Sequence, residues 1–194
     1  MTSAAEGPGI IRDEGPGDPD RLQRLWSPHR MSYITASPGV GQSDDDSSSA
    51  TSVHPFLDIP RMSDEAGLMV ARGESVYAVL NLYPYNPGHT MIVPYRQVAD
   101  LEDLTEVESR ELMAFTQKLI RVIKAVSNPD AFNVGLNLGA AAGGSLAEHL
   151  HQHVVPRWGG DANFITVVGE TKVMPQLLRD TRALLAQAWR ELED

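Results

Sequence analysis

Apolar residues recur along this chain at two periods, and the change from one to the other divides it into elements. Over 105–127, TEVESRELMAFTQKLIRVIKAVS, they fall at Leu112, Phe115 or Thr116, Leu119, Ile123 and Val126, the three-and-four spacing of one helical face. Thr105 followed by Glu108 predicts a capping box at the start, and Pro129 a stop at the far end. Shorter apolar runs bounded by turn residues predict strands. LMVAR (68–72) and SVYAVLN (75–81), separated by Gly73 and Glu74, form a candidate hairpin. LYPYNPG (82–88) is a loop because its prolines and glycine interrupt any regular element. HTMIVPY (89–95) then pairs antiparallel with the strand before it, since the connection is short. AFNVGLNLG (131–139) runs into the small-residue loop AAAGGS, and HLHQHVVPRW (149–158) is the strand behind it. A last helix is expected from near Pro175, carrying Leu177, Leu178, Thr181, Leu184, Leu185 and Ala188. The order predicts an α+β fold: an antiparallel sheet of about five strands with a long helix and a C-terminal helix.

The chain before His54 has a different texture. Residues 1–20 hold two Gly-Pro-Gly clusters and 37–53 are small, polar and acidic, so both are expected to be disordered. Between them 21–36, with Leu22, Leu25, Trp26, Met31 and Tyr33, reads as a short helical anchor, and 54–194 as the folded domain. A length of 194 residues suits one domain. Twenty-six acids against 16 Lys and Arg give a net charge of −10, which argues against a nucleic-acid or anionic-membrane surface and leaves room for a nucleotide only in a locally positive pocket. The absence of Cys excludes disulfides, thiolate zinc ligands and cysteine nucleophiles. No leader-like segment or 18-residue apolar run is evident, so a soluble cytoplasmic protein is expected.

The candidate chemistry lies in HLHQHVV. In a strand, alternation sends His149, His151 and His153 to one face and Leu150, Gln152 and Val154 to the other. Upstream, Gly143, Gly144 and Ser145 offer backbone N–H groups and a hydroxyl to an anion. Outer rings about 13 Å apart cannot share one metal ion with the middle ring, and Glu148 points the wrong way to complete a two-His site, so no metal is expected. Histidines merely satisfied in a core remain the plain alternative. A neutral imidazole attacks phosphorus when one ring nitrogen donates a hydrogen bond and the other keeps its lone pair. The flanked middle ring, His151, is the candidate nucleophile, with His153 as donor to a phosphate or leaving oxygen and His149 as orienter.

HLHQHVVPRW resembles the His-x-His-x-His signature of the histidine-triad superfamily of nucleotidyl hydrolases and transferases. The resemblance extends to LWSPHRMSYI (25–34), VLNLYPYNPGHTMIVPYR (79–96), GLNLG (135–139), GGSLAEHLHQHVVPRWGGDANFI (143–165) and ETKVMPQLL (170–178), and is strongest to the actinobacterial branch. It implies a nucleotidyl-histidine intermediate and cleavage of dinucleoside polyphosphates, with diadenosine tetraphosphate and inorganic phosphate giving ATP and ADP. Water as acceptor, and a nucleotide-binding regulator without turnover, are the alternatives. It also implies His89 as a fourth histidine at the site, Asn81 on a ribose hydroxyl, and Asn137, Gly144 and Ser145 on phosphate. Trp158 is a candidate pocket wall, and Trp26 and Tyr33 are candidates for the base. No cofactor is required, although a divalent ion such as magnesium can accompany the polyphosphate, and a homodimer or homotetramer is expected. Two departures stand out: His54-Pro-Phe-Leu57 occupies the place of a zinc-binding Cys-x-x-Cys, so no zinc is expected, and Gln152 takes a usually apolar position.

Overall fold

The computed structural model describes residues 54–142, 146–169 and 173–192. The expectations for 1–20, 21–36 and 37–53, with Trp26 and Tyr33, and those for Gly144 and Ser145, lie outside the described residues. The chain enters through α1 (Pro55–Asp58). The hairpin follows as β1 (Met69–Arg72) and β2 (Val76–Leu80), and β3 (Thr90–Pro94) pairs antiparallel with β2 as expected. Helix α2 (Glu106–Ser127) has the capping box: the Thr105 side chain accepts from the Glu108 N–H while the Glu108 carboxylate accepts from the Thr105 N–H. It ends at Asn128 in the left-handed conformation, directly before Pro129. The Glu111 carboxylate accepts from the N–H groups of Glu74 (2.7 Å) and Ser75 (2.6 Å), tying the hairpin turn to α2. Gly73 permits this approach, because a Cβ there would lie 2.7 Å from the Phe115 ring and 2.8 Å from the Val76 carbonyl oxygen.

After β4 (Ala131–Leu136) and β5 (Gln152–Arg157) the sheet is complete, five antiparallel strands in the order β1-β2-β3-β5-β4. One face, with Val76, Ala78, Leu80, Ile92 and Val154, packs against Leu112, Leu119, Val122 and Ile123 of α2. Leu185 of α4 (Leu178–Glu191) joins that layer. The other face buries Met69, Tyr77, Val79, Met91 and Val93 against Phe56 of α1. Because the two long helices, α2 and α4, occupy one face, the other is left to carry the site.

Three boundaries differ from expectation. β5 begins at Gln152 rather than His149, because the Leu150 N–H goes to Val98 O (2.6 Å) and the His149 N–H to Leu146 O (3.1 Å), which takes residues 149–151 out of the strand ladder. The strand expected over 131–139 stops at Leu136, and Gly139 at φ +74° turns the chain into a 3₁₀ turn, Ala140–Ala142. The last helix starts at Leu178 and buries Leu185 and Ala186, leaving Leu177 and Leu184 exposed. Paired leucines leave its phase ambiguous in sequence; Arg182, which donates to Met69 O (2.7 Å), resolves it. Two short helices, α1 and α3 (Phe164–Val168), span too few residues for periodicity to reveal them.

Candidate active site

His153 stands on β5, paired with Met91 on one side and Gly135 on the other. His89, fully buried immediately before β3, reaches it with Nε2 2.9 Å from His153 Nδ1. The proton positions follow from the neighbours. His89 Nδ1 accepts from the Tyr85 N–H at 3.0 Å and faces the Asn81 amide nitrogen at 3.4 Å, so it carries no hydrogen. The neutral ring then holds its proton on Nε2 and donates it to His153 Nδ1, which leaves the His153 proton on Nε2. Burial, helped by His153 and His151, pushes His89 down to about 3, and burial with His151 pushes His153 down to about 4, so both rings are neutral near pH 7.

His151 is fixed differently. Its Nδ1 lies 2.8 Å from the backbone carbonyl of His149. A carbonyl only accepts, so Nδ1 donates and the Nε2 lone pair is left open. The His149 ring packs against Phe56, as the His151 ring does, but has bonds of its own. Its Nε2–H donates to Pro94 O (2.8 Å), and the ring packs between His54 (centroids 5.1 Å apart) and Phe56 (5.5 Å), while His151 and His153 meet edge-on at 5.0 Å. His149 therefore orients His151 through its carbonyl, not its imidazole. Burial lowers the His149 pKa, further reduced by His54 and His151 and partly opposed by the bond to Pro94.

Asn137, just beyond β4, places its amide nitrogen 3.5 Å from His153 Nε2. Two donors at that separation do not bond each other, so both N–H groups are left for an acceptor such as an anionic oxygen. Asn81 lies at the end of β2 with its Oδ1 accepting from the Tyr83 N–H (2.9 Å). Two cavities meet here. One, of about 440 Å³, is walled by Phe56, Ile59, Leu68, Val79 and Met91 and contains His151. The other, of about 660 Å³, lies along β4 with Asn133, Gly135, Arg157 and Thr166. His153, Tyr85 and Asn137 line both.

Trp158 lines neither cavity: a turn in which the Asp161 N–H bonds Trp158 O (3.0 Å) carries it off the end of β5. The Gln152 departure is resolved by a buried partner, its amide donating to Thr116 Oγ1 (2.5 Å), whose hydroxyl donates to Leu112 O (2.7 Å). Sequence reasoning missed Tyr85, whose ring lies over His89 (4.5 Å) and His153 (5.7 Å). It also missed the clamp on the His89 loop. Asp161 accepts two bonds from Arg157 (2.6 and 2.9 Å) and one from Asn86 (2.6 Å), and Asn86 also donates to Pro156 O (2.9 Å). Neither belongs to a periodic pattern; the only sequence signal was an aromatic and an amide inside a proline-bounded loop.

The sequence profile of the HIT domain matches residues 65–160. An AP-4-A phosphorylase of Mycobacterium tuberculosis is 68% identical over 179 residues, covering 92% of this chain and 90% of the relative. A bis(5'-adenosyl)-triphosphatase of Saccharomyces cerevisiae is 41% identical over 88 residues, covering 45% of this chain and 42% of its own. Among solved structures, a zinc-bound histidine triad family protein from Mycobacterium smegmatis superposes with a TM-score of 0.54 at 26% identity, covering 64% of this chain and 84% of that one. The residues here do not fit such a zinc ion. The chain has no Cys, and among the described residues no group of three or more His, Cys, Asp or Glu is placed to hold a metal. His54 and His149 each present a buried Nδ1 without a partner, two donors where a tetrahedral site takes four.

Proposed function

Since the chain belongs to the HIT family, we propose that it is a nucleotidyltransferase that splits diadenosine tetraphosphate with inorganic phosphate into ATP and ADP. The open Nε2 lone pair of His151, beside the converging donors of His153 and Asn137, carries this reading. His151 Nε2 attacks the α-phosphorus; the N–P bond forms as the bridging P–O bond breaks, and ATP leaves with the electron pair on its terminal oxygen. His153 Nε2–H and the Asn137 amide donate to the charged oxygens, a role worth about 3 to 4 kcal/mol per donor in other enzymes. Phosphate oxygen then attacks the adenylyl-histidine, releasing ADP and restoring His151. The apolar cavity walled by Phe56, Ile59 and Leu68 suits a flat adenine.

In this reading Asn81 meets the ribose, Gly144 and Ser145 bind phosphate, and no resident cofactor takes part, although magnesium can travel with the polyphosphate. The site acts in the cytoplasm on a small molecule, without nucleic acid or membrane; among the described residues no helix is long and apolar enough to cross one. The exposed outer edge of β4 offers unpaired backbone groups to a second copy, consistent with a homodimer or homotetramer. The test is product analysis after incubation with diadenosine tetraphosphate, with and without phosphate. ATP plus ADP, formed only with phosphate, is expected. ATP plus AMP in both cases overturns phosphorolysis in favour of hydrolysis.

A further inference from the structure

We infer that the cavity floored by Gly135 receives the second nucleoside of the substrate, the half that departs with the leaving group; the inference rests on the reaction proposed above. Gly135 lies inside β4 opposite His153, it is not among the glycines with positive φ, and an added Cβ would meet nothing within 4 Å. Neither backbone conformation nor packing asks for glycine there, and a glycine weakens the interior of a strand. In a strand such a residue marks a bulge, a bend, or close approach by a ligand or another backbone, and the unbroken β4–β5 register excludes the bulge.

Size and wall chemistry say what kind of ligand. A volume of about 660 Å³ far exceeds what a phosphate needs and falls in the range of organic ligand sites, about 300 to 1,000 Å³. The one cation in the wall, Arg157, is engaged by Asp161 and by Asn133 Oδ1 (2.7 Å), so the cavity does not present an open positive charge. It offers instead the Asn133 amide, the Thr166 hydroxyl and the exposed ring of Tyr85, which suit the hydroxyls and flat base of an uncharged nucleoside. His153, the donor to the leaving oxygen, lies where this cavity meets the apolar one that holds His151. A chain bound at its α-phosphate beside His151 passes His153 and continues over Gly135.

Gly135→Val fills the floor from the open side. The readout is the ratio of kcat/KM for diadenosine tetraphosphate to that for adenosine 5'-tetraphosphate, which has the same α-phosphate site but no second nucleoside. The ratio is expected to fall at least tenfold in the variant, and Gly135→Ala, which serves if the valine variant does not fold, to lower it about threefold. An unchanged ratio overturns the inference, because loss of fold or of the histidine site lowers both substrates together. Wild-type protein that cleaves neither compound removes the underlying reaction instead, a failure visible before any variant is made.

Discussion

At His151 one ring nitrogen is committed to a carbonyl and the other is left open, and that asymmetry is what makes an imidazole a nucleophile rather than a filler of space. His151→Ala is expected to abolish the nucleotidyl-enzyme adduct in intact-protein mass spectrometry and to lower turnover by at least about a thousandfold. In the proposed reaction His89 acts one step away, by holding the His153 proton on Nε2. His89→Phe removes that donor, and kcat is expected to drop on the order of 100-fold with KM changing little; steady-state kinetics matching wild type would show that the relay is irrelevant. Single residues were unevenly legible in the sequence. His151, His153, His89 and Asn137 could be named because they stand in a patterned segment or a resembling motif. The partners of the His149 ring could not, because Pro94 and His54 are distant in the chain. Trp158 stands outside the two cavities for a related reason: the turn to Asp161 decides its direction.

Among the elements, α2 was readable from end to end because its caps and its apolar stripe are local. Thr105→Ala removes the acceptor for the Glu108 N–H and is expected to cost about 1 kcal/mol in chemical denaturation. Strand β5 was readable in kind but not in extent, since the acceptor of the Leu150 N–H is Val98, over fifty residues earlier. Between these two elements lies the Gln152–Thr116 pair, a buried polar link across the helix–sheet interface. Thr116→Val strands the buried Gln152 amide and is expected to destabilise the fold by about 1 to 3 kcal/mol, whereas adding Gln152→Met removes both polar partners and recovers most of the loss. Additive losses in the double variant, measured by urea unfolding, would refute the coupling.

For the molecule as a whole, the buried histidines link stability to pH. His89, His153 and His149 titrate below their unfolded value of about 6.5. As pH falls below about 6.5 the unfolded chain takes up protons that the folded one refuses until about 4 for His153 and about 3 for His89, so stability is full above pH 6.5 and declines toward pH 3. Glu108 and Asp161, held low chiefly by Arg96 and Arg157, add their losses only in the carboxylate range below, so the decline between pH 6.5 and 5 belongs to the histidines. The melting temperature is expected to drop by several degrees from pH 7 to pH 5; a flat profile over that interval contradicts the burial argument.

The sequence by itself determined the α+β class, the long capped helix, the hairpin and the segment that carries the histidine cluster, because periodicity, caps and turn residues act over a few positions. Tertiary structure alone decided which ring nitrogens carry protons, where the His149 ring goes, which face of the last helix is buried and that two cavities meet at His153. Those outcomes depend on hydrogen bonds closed between residues far apart in the chain, such as His89 with His153 and Arg182 with Met69, and no local pattern encodes such a closure.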